Sequence, residues 1–148
     1  MVDSDLVRRK LTELSEYVSQ VSEYRDVTAE QYRADWKIQR IVERTLQMAI
    51  EACVDIASHM VADRGLRAPA TYADTFEILV QSGLLSPDLG EAMVKMTGFR
   101  NVIVHDYLGL DLENIWDIVH RDIPELQKKI EKIKKELEKA PPEGPAAA

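Results

Sequence analysis

The chain is poor in the residues that most alternatives to a helical domain require. A single cysteine, Cys53, stands in 148 residues, so neither an internal disulfide nor a cysteine-based zinc cluster can form, and a reducing compartment is expected. Six glycines, six prolines and 6% aromatic residues leave few turn formers and few side chains suited to strands. No stretch reaches the ~18 uninterrupted apolar residues that span a bilayer, because the most apolar segment is broken by Glu51, Asp55 and His59. Positive charge is scarce as well: 19 Lys and Arg against 26 Asp and Glu give a formal charge of −7, which excludes a broad cationic coat for nucleic acid. Asp3 and Asp5 stand where an export signal would carry basic and then apolar residues, so a cytoplasmic location is expected and no membrane partner. Phosphate-cradling glycine loops, the Gly-x-Ser-x-Gly elbow and the His-Glu-x-x-His pair are all missing.

What is present is helical periodicity. Leu11, Leu14, Val18 and Val21 form one stripe of a helix expected over 5–24. Thr28 with Gln31 has the form of a capping box, and Asp35 begins a long helix to Asp63 with Ile38, Ile41, Val42, Leu46, Ala49, Ile50, Cys53, Ile56, Ala57 and Met60 inward. Gly65 stops it, Thr71 opens a helix over 72–81 that ends near Gly83, and Ser86-Pro87-Asp88 opens another that carries Ala92, Met96, Phe99 and Ile103 to about His105. A last helix is expected from Asp111 through Ile115, Val119, Ile123, Leu126, Ile130, Ile133 and Leu137, kinked at Pro124. The sum is an all-α, up-and-down helical bundle of four to five helices around a long central helix, occupying 4–139, with a disordered Pro- and Ala-rich tail at 140–148.

Three histidines limit the search for chemistry. Glu51, Asp55 and His59 follow one another at four-residue steps on one face of the long helix. They read as a helix surface or interhelical hydrogen-bond network, as a polar seam feeding a site, or as a metal site that lacks a second ligand set. His120, among Asp117, Arg121 and Asp122, reads as a solvated face, and the run Ile123 to Leu137 with its flanking lysines as a bundle helix or a partner-binding overhang. His105 differs, because Arg100, Asn101 and Tyr107 crowd the same end of an otherwise apolar helix. At about 100° per residue, Arg100 and Tyr107 share a side while His105 lies roughly 140° away. Joint action then requires either that the helix ends or distorts by His105, or that two chains share the site across a two-fold axis.

Arg100-Asn101-x-x-x-His105-x-Tyr107 resembles the Arg-x4-His-x-Tyr motif of the HEPN superfamily, specifically its HepT-like toxin branch, and the order of helices is similar too. The resemblance implies a metal-independent ribonuclease toxin that acts as a homodimer on RNA rather than DNA, with no cofactor and no metal. It implies Arg100 and His105 as catalytic residues and Asn101 in support. It also implies a nucleotidyltransferase antitoxin that attaches adenylate to Tyr107. The residue types suit those roles: an imidazole exchanges protons near neutral pH, and a guanidinium forks two hydrogen bonds onto a phosphate. With the chain so acidic, RNA is expected to meet a local patch, Arg100 aided by Lys95, Arg64 or Arg67. The alternative is a non-catalytic helical module that pairs with a nucleotidyltransferase.

Overall fold

The computed structural model describes residues 4–105, 115, 118–128 and 131. It contains α1 (Ser4–Ser22), α2 (Ala29–Ala34), α3 (Trp36–Asp63), α4 (Tyr72–Gln81) and α5 (Pro87–His105), then a π-helical turn (Ile118–Asp122) that runs into α-helix over 123–128. The expected start of the last helix at Asp111, its residues Ile130, Ile133 and Leu137, most of the flanking lysines and the tail at 140–148 lie outside the described residues.

Local chemistry sets the boundaries. Thr28 and Gln31 form both halves of a capping box at the start of α2. Asp35 ends α2 and begins α3, its Oδ1 accepting from the backbone N–H groups of Lys37 at 2.9 Å and Ile38 at 3.4 Å. The Gln39 amide donates back to the carbonyls of Tyr32 and Arg33, which fastens the short helix to the long one. α3 and α4 close in the same way: Gly65 (φ 63°) and Gly83 (φ 79°) take the left-handed conformation, and the next residue's N–H reaches back to Val61 and Leu79 respectively. Ser86 Oγ accepts from the Leu89 N–H at the head of α5.

α3 is the hub, packed against α1, α2, α4 and α5, while α4 also packs on α5. Leu11, Leu14, Val18 and Val21 of α1 meet Val42, Leu46, Ala49, Ile50 and Cys53 of α3 in one core, joined by Phe76, Leu79, Met96, Phe99, Ile115, Ile118 and Ile123. Two inward assignments need correction. Ile41 is 45% exposed, because Val42, Thr45 and Leu46 fill the buried sector at that level and position 41 falls at its rim. On α5, Met93 rather than Ala92 is fully buried; with apolar residues on most sides of that helix, its contacts with α4 decide the register. Pro124 acts through the turn before it: having no N–H and clashing with the carbonyl four residues back, it is preceded by the wider π spacing. No helix among the described residues is long and apolar enough to cross a membrane.

Candidate active site

Arg100 lies on α5 where that helix passes α3 and the start of α4. Its Nε and Nη2 both donate to Oε1 of Glu51, at 3.1 and 3.0 Å, and its Nη1 donates to Asn101 Oδ1 at 3.3 Å. The guanidinium lies over the Tyr72 ring, 5.2 Å from the centroid, an arrangement in which the aromatic face attracts the cation and fixes its plane. Gln47, one turn before Glu51 on α3, donates to the same Oε1. A guanidinium has five N–H groups. Three are engaged, so among the described residues one N–H on each terminal nitrogen remains as a donor that a phosphate oxygen could accept from. The Arg100 side chain is 18% exposed and Glu51 37%, so the pair is partly screened from solvent.

Tyr72 is itself held by its own loop. Arg67 forks onto Asp74 with two 2.7 Å hydrogen bonds, the Ala70 N–H adds a third at 2.9 Å, and Thr71 caps the helix by accepting from the Asp74 N–H. The guanidinium of Arg67 foremost, then the Ala70 amide, holds the Asp74 carboxyl down to about 2. Thus the loop after α3 is anchored, and the first residue of α4 is carried under Arg100.

The other expected residues fall as follows. Glu51, Asp55 and His59 do not form a common seam: Glu51 turns to Arg100 on α5, Asp55 pairs with Lys10 of α1 at 3.5 Å, and His59 is exposed. His120 does more than face solvent, its Nε2 lying 2.8 Å from the Arg25 carbonyl in the turn after α1. Of the cations expected to assist Arg100, Arg67 is committed to Asp74 and Lys95 pairs with Asp122 at 3.9 Å, while Arg64 caps the far end of α3. α5 stays α-helical through position 105, so positions 100 and 105 stand about 140° apart around its axis and about 7.5 Å along it. The side chain of His105, and Tyr107 altogether, lie outside the described residues. Sequence reasoning passed over Gln47 and Tyr72; an isolated aromatic just after a Thr cap is the faint signal that Tyr72 offered.

A family model described as "Ribonuclease HepT-like" matches residues 14–133. The chain is 31% identical over 134 residues to the mRNA nuclease HepT of Shewanella oneidensis, covering 90% of this chain and 99% of that one. It is 24% identical over 118 residues to the tRNA nuclease HepT of Aphanizomenon flos-aquae, covering 78% of each. The solved structure of the tri-AMPylated Shewanella oneidensis HEPN toxin in complex with MNT antitoxin superposes with a TM-score of 0.79 at 29% identity, covering 91% of this chain and 99% of that chain. With the all-helical fold of the described residues, these matches place the chain in the HepT-like ribonuclease family of the HEPN superfamily.

Proposed function

We infer that the protein is a ribonuclease toxin that cleaves RNA without a metal ion, in a cleft shared by two copies of the chain. The observation that carries this reading is the pre-set guanidinium of Arg100, braced by Glu51 and Tyr72 with an N–H left on each terminal nitrogen among the described residues. In the cleft, a phosphodiester accepts from those N–H groups, which stabilises the charge gathering on its oxygens as the ribose 2′-hydroxyl attacks. His105 takes the 2′-hydroxyl proton, the 2′-oxygen bonds to phosphorus, and the 5′-oxygen leaves with a proton from the second imidazole of the dimer. A 2′,3′-cyclic phosphate and a free 5′-hydroxyl result. DNA lacks the nucleophile. Asn101 restrains Arg100 through its Oδ1. The 140° between positions 100 and 105 on one helix supports sharing between chains, since a two-fold axis brings each Arg100 to the other copy's His105.

A nucleotidyltransferase antitoxin is the partner, in the cytoplasm, and Tyr107 its target. Tyr107 follows Arg100 by seven positions in the sequence, and each adenylate added there sets a phosphodiester charge where the RNA backbone binds. The tri-AMPylated state of the Shewanella oneidensis relative supports this assignment. The test is cleavage of RNA in EDTA by wild type, Arg100→Ala and His105→Ala, with circular dichroism to check folding. Wild-type cleavage that each variant abolishes is the expected result. No cleavage of any RNA class, together with a stable nucleotidyltransferase complex, would make the protein a binding module instead.

A further inference from the structure

The first half of α3 runs against the charge of the chain. Between positions 36 and 50 it exposes Lys37, Arg40 and Arg44, while its one carboxylate, Glu43, is buried and bonded to Arg40 at 3.0 Å. Arg44 has no ion-pair partner among the described residues. With Trp36 as origin on the helical wheel, Arg40 lies at about 40°, Arg44 at 80°, Lys37 at 100° and Glu51 at 60°. One stripe of α3 therefore leads from Trp36 to the carboxylate that holds Arg100. Trp36 is 64% exposed, with the Lys37 Nζ 5.9 Å from its ring centroid. An open aromatic face among cations is what a single strand uses, with a base stacked on the ring and phosphates on the charges.

The geometry points to a substrate track: single-stranded RNA lies along α3, stacks a base on Trp36, sets phosphates at Lys37 and Arg44, and enters the cleft at Arg100. This rests on the ribonuclease reading above and adds where the substrate lies outside the reacting bond. A second copy of the chain fits the face less well, because a two-fold contact would set these cations against their own images. From Trp36 to Glu51 the helix rises about 22 Å, roughly six or seven stacked nucleotides at ~3.4 Å each. Arg40 is left intact in the test because it neutralises Glu43.

The test uses fluorescence anisotropy of a labelled single-stranded 12-mer RNA and a trinucleotide, at several salt concentrations, on the full chain carrying His105→Ala to prevent turnover. Lys37→Ala with Arg44→Ala is expected to weaken 12-mer binding about tenfold or more and to flatten the slope of log Kd against log salt by about 1.4, the share of two phosphate contacts on a single strand. Trp36→Ala is expected to cost about 5- to 160-fold, with little salt dependence. The advantage of 12-mer over trinucleotide shrinks in both variants. Unchanged affinity and slope overturn the track, as does a shift from dimer to monomer in sedimentation, which would make the face a contact between copies. If wild type cleaves no RNA, the ribonuclease reading fails, and the anisotropy slope still decides the track by itself.

Discussion

Arg100 and Glu51 stand 49 positions apart and meet through two hydrogen bonds to a single carboxylate oxygen. The contact is also a constraint on chemistry: a carboxylate beside the proposed phosphate site repels substrate, so its benefit is the orientation of the guanidinium. Glu51→Ala is expected to lower kcat on RNA by about 10- to 100-fold, the scale of a misplaced binding group, and to affect KM much less. Glu51→Gln keeps an acceptor and restores much of that loss. Steady-state kinetics on both variants decide it; equal kcat in wild type and Glu51→Ala removes the positioning role.

Tyr72 supplies the floor of the same site. Tyr72→Phe keeps the ring and is expected to cost little, whereas Tyr72→Leu loses the cation–π contact, about 0.5–1 kcal/mol or a two- to fivefold fall in kcat/KM. Parallel assays of the two variants separate the ring from the hydroxyl, and a larger loss in Tyr72→Phe would assign the role to the hydroxyl.

The Arg67–Asp74 fork gives a pH signature. Asp74 has its carboxyl held at about 2 by Arg67 and the Ala70 amide, below the ~3.9 of an unfolded chain. A lowered carboxyl stabilises the folded state above the unfolded value and ceases to do so as pH falls through the folded one. Melting of wild type minus Asp74→Asn is therefore constant at neutral pH and narrows between about pH 4 and 2. A difference that does not change across that window rules the fork out as its cause.

Glu43 carries the opposite sign. Burial raises its carboxyl, and Arg40 pulls it partly back, so ionised Glu43 weakens the fold as pH rises above the carboxylate range. Arg40→Met removes the partner of a buried acceptor and is expected to destabilise by about 1–3 kcal/mol at neutral pH and by less near pH 4. Glu43→Gln in the same chain recovers much of that loss. Thermal melts of wild type and the two variants at the two pH values test the assignment.

The helix ends were legible because each depends on neighbours in sequence: the Thr28–Gln31 box, Asp35, Ser86 before Pro87, and the stops at Gly65 and Gly83. The motif was legible for the same reason, Arg100, Asn101, His105 and Tyr107 spanning eight positions. What surrounds Arg100 was not, since Glu51 and Tyr72 reach it only through the packing of α3 and α4 on α5. The four-residue spacing of Glu51, Asp55 and His59 points to interhelical or surface roles without naming the partners: Glu51 bonds to α5, Asp55 to α1, and His59 is exposed. Ile41 shows the same limit: on a helix apolar over most of its circumference, the composition does not mark where coverage stops.

The lone cysteine bears on how two copies of the chain can associate. Cys53 is buried in the core, its thiol pushed up to about 12 by that burial, so oxidants have no accessible sulfur with which to lock two chains together. The proposed dimer is then held by reversible contacts alone. For that proposed dimer, cleavage per molecule is expected to fall as the protein is diluted through its dimer constant.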